Sequence, residues 1–219
     1  MNVLLDLDGT LTDPREGITR CIQHALRRLG RPVPEQSQLL QCIGPPLHAS
    51  FVELLDGDDS LAHRAVALYR ERFGEVGLYE NMPYPGIGKA LDTLRDNGAR
   101  LYLATSKPTV YARRIVAHFG LESRLEEVFG SELDGTRTDK TELLAWIVDE
   151  LSIDPSTTAM VGDRKHDMVG ARANRIYPVG VTWGYGARSE LLEAGAAHLL
   201  DTPEELAILE AKGWIPLIC

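Results

Sequence analysis

Val3-Leu4-Leu5-Asp6-Leu7-Asp8-Gly9-Thr10-Leu11-Thr12-Asp13 passes from an uninterrupted apolar run into carboxylates within a few residues. Val3 to Leu5 suit a short strand buried on both faces of a parallel sheet. Asp6 and Asp8, two apart, project to the same side wherever extended geometry persists, and Gly9 lets the backbone turn away sharply. Two close carboxylates repel, and an unpaired buried charge is costly, so such a pair shares a proton or binds a cation. Asp and Gly are also ordinary turn residues. The stretch therefore takes its meaning from what recurs downstream.

Working outward, the chain has 219 residues, 44% of them hydrophobic, which is enough for a sizeable core and for one large domain or a domain carrying an insertion. A net charge of -9 argues against nucleic acid or an anionic membrane as the partner. The opening residues lack a basic segment followed by a long apolar run, and no later stretch approaches the ~20 apolar residues that span a bilayer. A cytoplasmic protein, monomeric or a small homo-oligomer, is expected. Cys21, Cys42 and Cys219 are too few and too scattered for a disulfide framework or a zinc site. Cys21 is expected in the core.

After Pro14, Ile18, Cys21, Ile22, Ala25, Leu26 and Leu29 recur at helical spacing, and Gly30 with Pro32 supplies a stop. Further helices are expected near Glu35 to Cys42, over Leu47 to Leu55 and from Ala62 to Phe73, with no convincing strand between Pro14 and Pro83. From Pro83-Tyr84-Pro85-Gly86 onward, helices and apolar runs alternate, as repeated βα units of a parallel sheet require. The helical block thus reads as an insertion after the first strand. In the α/β part, strands are expected at Arg100 to Ala104, Glu127 to Gly130, Thr158 to Val161 and Ile176 to Val181. Asp139 reads as the cap of a helix beginning near Lys140, and helices at Ser189 to Ala194 and Pro203 to Lys212 complete the pattern.

Polar residues follow three of these strands at once. Asp6 and Asp8 end the first, Thr105 and Ser106 the second, and Gly162-Asp163-Arg164-Lys165-His166-Asp167 the fourth. In an open parallel sheet, ligands bind beyond the carboxyl ends of the strands. Acids, hydroxyls and the Lys140 cation gathered there suit phosphoryl transfer, which depends on positioning and on neutralising charge over phosphate oxygens. An oxygen-rich carboxylate site also suits magnesium. No glycine-rich phosphate loop ending in Lys-Ser/Thr is present. Arg164, Lys165 and His166 read as charge balance for the neighbouring acids, and Trp183 and Tyr185, set among glycines, as loop anchors. His24 and His48 have no ligand set near them in the sequence.

Asp6-Leu7-Asp8-Gly9-Thr10, Thr105 at a strand end, Lys140 and Gly162-Asp163 to Asp167 occur in that order, and over essentially its full length the chain resembles the haloacid dehalogenase-like hydrolases, in the phosphoglycolate-phosphatase-like branch. The resemblance implies an α/β, Rossmann-like parallel-sheet core (1–13 and 84–219) with an inserted α-helical cap domain (14–83). It implies Asp6 as nucleophile, forming an aspartyl-phosphate, and Asp8 as general acid and then base. Thr105, Ser106 and Lys140 would bind phosphate. Asp6, Asp163 and the main-chain carbonyl of Asp8 would hold Mg2+, with Asp167 acting through water or by orienting Lys140. Arg15 is a candidate substrate contact from the cap. Family members that displace halide lack the second Asp, so the reaction expected is at phosphorus. The span from Thr105 to Lys140 is too short for a second large cap, so small substrates should enter.

One departure bears on substrate. Phosphoglycolate phosphatases commonly carry Lys-Pro-x-Pro at the third motif, whereas this chain has Asp139-Lys140-Thr141-Glu142. The expectation is a magnesium-dependent phosphomonoesterase acting on a small phosphorylated metabolite, a nucleoside 5′-monophosphate or a phosphoglycolate-like compound. The alternatives are a phosphomutase, a phosphotyrosine-type phosphatase and a non-catalytic metabolite-binding regulator.

Overall fold

A computed structural model describes residues 1–209. Cys219 and the end of the helix expected to reach Lys212 lie outside the described residues. The chain divides into two units, one formed by residues 1–13 together with the chain from Pro83 onward, the other by Pro14–Met82.

Strand β1 (Asn2–Leu5) opens the first unit, and the chain then enters the helical one. Helix α1 (Arg15–Arg28) buries Ile18, Cys21, Ile22, Ala25 and Leu26 on one face and carries Arg27 and Arg28 at its carbonyl end, where the helix dipole favours them. The segment expected as a second α-helix is a tighter 3-10 turn, Gln36–Cys42. Helix α2 (Leu47–Leu54) and helix α3 (Asp59–Arg72) follow, the latter capped by Asp58, whose side chain accepts from the Leu61 N–H at 2.9 Å. Beyond α3 the chain makes a wider π-helical turn, Phe73–Gly77. A Cβ at Gly17 would stand 2.1 Å from the Gly77 carbonyl oxygen, so α1 and this turn meet only because both positions lack a side chain. In the interior of this unit Tyr69 stacks on Phe73 and meets Phe51 edge-to-face. Arg72 grips Glu80 with two bonds (2.6 and 2.9 Å), and Arg20 adds a third at 2.9 Å. His48, without a ligand set in the sequence, lies in a cluster with Asp59 and His63. The packing of α2 against α3 brings it there, and linear spacing does not reveal it.

The first unit resumes with helix α4 (Ile87–Asp96), strand β2 (Arg100–Pro108), helix α5 (Thr109–His118) and strand β3 (Glu127–Ser131). Helix α6 (Lys140–Leu151), strand β4 (Thr158–Gly162), helix α7 (Lys165–Ala173), strand β5 (Tyr177–Val181), helix α8 (Arg188–Glu193) and strand β6 (His198–Leu200) complete it, followed by a 3-10 turn at Pro203–Ile208. The strands form one six-stranded sheet in the order β3-β2-β1-β4-β5-β6 with every pairing parallel. This is an α/β, Rossmann-like core. Leu4, Tyr102, Phe129, Leu144, Ile147 and Met160 share one buried cluster on the α6 side.

Strand β2 runs past Ala104 to Pro108, with a register irregularity between Thr105 and Pro108 against β3. β6 was not expected; with three residues at the sheet edge it is too short to show a period. Because β1 lies between β2 and β4, Leu5 is level with Leu103 on one side and Val161 on the other. The chain order reverses about β1, which opens a crevice at the strand ends. No helix among the described residues is long and apolar enough to cross a membrane.

Candidate active site

Asp6 continues the line of β1 by one residue, its N–H donating to the Val161 carbonyl at 2.9 Å. The backbone then folds back on itself: the Leu11 and Thr12 N–H groups donate to the Leu7 carbonyl (2.9 and 3.0 Å), and Gly9 takes a φ of +86°. Asp8 is thereby delivered beside Asp6, both buried. Trp183 and Tyr185 hold this loop from the other side. The Trp183 Nε1–H donates to the Thr10 carbonyl at 3.1 Å, and the Tyr185 hydroxyl donates to Asp13.

At the end of β4, fully buried Asp163 sits among glycines: a Cβ at Gly9 would stand 2.2 Å from its Oδ2, and one at Gly184 would stand 2.4 Å from its Cβ. Its Oδ2 accepts the Tyr185 N–H at 2.7 Å, while its Oδ1 is buried with no hydrogen-bond partner. Asp167, in the first turn of α7, accepts the Arg164 N–H at 3.1 Å. The Arg164 guanidinium pairs with Glu190, donating to it at 3.0 Å, and the Lys165 backbone N–H donates to the same carboxylate at 2.9 Å.

The cations come from the other side of β1. Asp139 caps α6, accepting the Thr141 and Glu142 N–H groups at 2.8 and 3.2 Å, which sets Lys140 as the first helical residue. Lys140 Nζ donates to Asp6 Oδ1 at 2.9 Å and to the Ala104 carbonyl at 2.8 Å, and lies 2.8 Å from Asp167 Oδ1. Thr105 is buried, and its hydroxyl accepts the Lys107 N–H at 3.2 Å. Ser106 is half-buried, and its carbonyl accepts the Ser131 hydroxyl at 2.8 Å.

The model of the haloacid dehalogenase-like hydrolases matches residues 3–181, a span that takes in Asp6, Asp8, Thr105, Lys140, Asp163 and Asp167. The chain belongs to that family. It is 48% identical over 90% of its length to a 5′-nucleotidase of Pseudomonas aeruginosa, of which it spans 89%. It is 42% identical over 84% of its length to the tyrosine-protein kinase PtkA of Mycobacterium tuberculosis, spanning 62% of that protein. Among solved structures it superposes on a predicted phosphatase from Clostridium acetobutylicum with a TM-score of 0.91 at 39% identity, covering 94% of this chain and 95% of that one.

The first unit of this haloacid dehalogenase-like hydrolase brings together Asp6, Asp8, Thr105, Lys140, Asp163 and Asp167. Arg15, exposed in the first turn of α1, belongs to the helical unit. Lys107, not among the residues expected at the site, places its Nζ 2.7 Å from Asp8 Oδ2 with both side chains buried. The available signal was its two-residue spacing from Thr105, the same spacing that pairs Asp6 with Asp8.

Burial governs the electrostatics. It pushes the Asp8 carboxyl up, with Lys107 pulling the other way. It drives Asp163 well above the carboxylate range, aided by the charges of Asp6 and Asp167. Asp167 is also raised by burial, against the pull of Lys140. For Lys140, burial disfavours the charge, but Asp167 and Asp6 outweigh it and keep the ammonium protonated. Four buried acids thus face two lysines. Asp6, Asp163 and Asp167 present oxygens within 4.8 Å of one another. An all-oxygen set short of positive charge, with the buried Asp163 Oδ1 unpartnered, fits a small hard divalent cation such as Mg2+.

Proposed function

We propose that the chain is a magnesium-dependent phosphomonoesterase that passes the phosphoryl group of a small metabolite first to Asp6 and then to water. The observation that carries this reading is the meeting of Asp6, Asp8, Asp163 and Asp167 with Lys107 and Lys140 where β1, β2 and β4 end. Such a site can position a phosphate and spread its charge over fixed donors.

Lys140 holds Asp6 Oδ1, and Oδ2 is the oxygen assigned to attack phosphorus. As the Oδ2–P bond forms, the ester P–O bond breaks, and Asp8 gives its proton to the leaving oxygen. In the second step Asp8 takes a proton from water, the water oxygen bonds to phosphorus, and the bond to Asp6 breaks, releasing inorganic phosphate. Asp8 must therefore enter the cycle protonated, and its burial supports that. Lys107 holds the Asp8 carboxyl in place, and Lys140 and the Thr105 hydroxyl bind the phosphate oxygens, with Ser106 beside them. Asp6, Asp163 and the Asp8 carbonyl would hold Mg2+, which would neutralise charge on the phosphate.

The similarity to a 5′-nucleotidase and the departure of Asp139-Lys140-Thr141-Glu142 from Lys-Pro-x-Pro both favour nucleoside 5′-monophosphates over phosphoglycolate. Residues 14–82 are assigned as the cap that selects among them, with Arg15 as a substrate contact. The test is phosphate release from nucleotides, phosphoglycolate, sugar phosphates and phosphotyrosine, each with magnesium or a chelator, alongside Asp6→Asn. Magnesium-dependent release that vanishes in the variant is expected, fastest with a nucleoside monophosphate. Conversion of a sugar phosphate to its isomer without free phosphate would replace the reading with a mutase, and binding without turnover would replace it with a regulator.

A further inference from the structure

The helical unit carries a second group of metal-ligating side chains. Asp59 is the first residue of α3, and His63 lies one turn on, on the same face of that helix. His48, near the start of α2, reaches the same point. His48 Nε2 stands 3.4 Å from Asp59 Oδ1, and His63 Nε2 stands 3.6 Å from Asp59 Oδ2. One donor atom from each residue falls within 4.8 Å of the other two. The imidazole centroids are 4.3 Å apart with the rings tilted by 39°.

These separations are informative. An N–H···O hydrogen bond closes to about 2.9–3.0 Å, and His48 Nε2, though buried at the atom, makes none. Donors arranged tetrahedrally about a zinc ion, each about 2.0–2.1 Å from it, stand about 3.4 Å from one another. The separations of His48 Nε2 and His63 Nε2 from Asp59, each to a different carboxylate oxygen, are thus longer than a close hydrogen bond and match neighbouring ligands of one ion. The chemistry of the set differs from that of the acids at the strand ends, because two imidazoles and one carboxylate suit zinc and its borderline neighbours, whereas magnesium prefers oxygen alone.

We propose that His48, Asp59 and His63 form a zinc-class divalent metal site on the helical unit, with solvent completing the coordination. Asp59 and His63 supply an i, i+4 ligand pair from α3, and His48 supplies the third ligand from the preceding helix, α2. Metal binding ties the start of α2 to the start of α3. The proposal is independent of the phosphatase reading, since none of the three residues belongs to the proposed catalytic machinery.

The experiment uses the full chain, freed of metal and then held in excess Mg2+ so that the carboxylate site is filled. Zn2+ is titrated calorimetrically into wild type, His48→Gln and His63→Gln, and the imidazole proton resonances are followed by NMR in parallel. Wild type should bind one Zn2+ per chain, with the resonances of His48 and His63 moving together. Each variant should bind at least about a hundredfold more weakly, more than the loss of an outer partner of a ligand costs. Zinc-free, magnesium-supported turnover should be the same in all three proteins, which checks that the variants fold. Zinc binding that is equal in wild type and variants, or absent from wild type while both imidazoles keep their metal-free resonances, would overturn the proposal and leave an ordinary charge cluster at a helix start.

Discussion

Lys107 Nζ lies 2.7 Å from Asp8 Oδ2, and both side chains are buried. A buried carboxyl group with a cationic partner is held in a single orientation, which suits the general-acid role proposed for Asp8. Replacing Lys107 by Met keeps the length of the side chain and removes the charge. The expected outcome is a fall in kcat of about 10²–10³-fold, comparable to loss of one preorganised donor. Lys107→Arg should recover part of that loss. Steady-state kinetics with a nucleoside monophosphate checks this, and an unchanged kcat in Lys107→Met would remove the residue from the machinery.

Asp6→Asn should abolish turnover, by at least about 10⁴-fold, since Asp6 is the proposed acceptor of the phosphoryl group. The fold should survive, because an amide can still accept from Lys140 through its oxygen. Phosphate release is the measurement, with intact-mass analysis showing that the amide has not reverted. Substantial residual activity would refute the nucleophile assignment.

Asp163→Asn should move the magnesium midpoint of activity upward by at least about tenfold. It should also change how the metal-free protein responds to pH. Asp163, Asp167 and Asp8 are all raised above their ordinary values by burial, so the folded chain keeps protons there that the unfolded chain has released. Stability of the chelated protein should therefore fall as pH rises from about 4, the ordinary carboxylate value, through the folded values. Asp163→Asn should flatten that fall, and added Mg2+ should reduce it in wild type. Thermal unfolding across this range, with and without chelator, is the check.

In the helical unit, Glu80 takes two bonds from Arg72 and one from Arg20. Its carboxyl is held below the usual range, first by the Arg72 bonds. The sign is opposite to that at the acid cluster: this contribution is present above the unfolded value and is lost as pH falls through the lower folded one. Glu80→Gln should cost about 1 kcal/mol, the upper end for partly solvated ion pairs. Denaturant unfolding at neutral pH reads it, and the difference from wild type should close in acid.

Gly9→Ala should be more damaging than its position in a loop implies. The added Cβ would stand 2.2 Å from Asp163 Oδ2 at a φ of +86°. Both the turn and the seat of Asp163 would shift, so magnesium affinity and kcat should fall together, by about tenfold or more. A variant with wild-type magnesium titration would show that the loop absorbs the change.

Much of the core was legible in the chain itself. Val3 to Leu5 ending in Asp6, Thr158 to Val161 ending in Gly162-Asp163, and Asp139 ahead of Lys140 are local signals, and strand, turn and cap chemistry act over a few residues. Where local signals thin out, the reading slips. Three residues at the sheet edge, His198–Leu200, are too few to show a period, and the backbone from Gln36 to Cys42 winds more tightly than its helical pattern implies.

Residue type and short-range spacing are enough for the class of fold, for the order in which acids, hydroxyls and cation appear, and for the family. Folding in three dimensions is what sets Lys107 against Asp8, encloses Asp163 with glycines from separate loops, and brings His48 to Asp59 and His63. Each of these depends on how separate chain segments pack against one another. Burial then decides what the charges do, since a carboxylate shifts its proton affinity only once packing has taken water away from it.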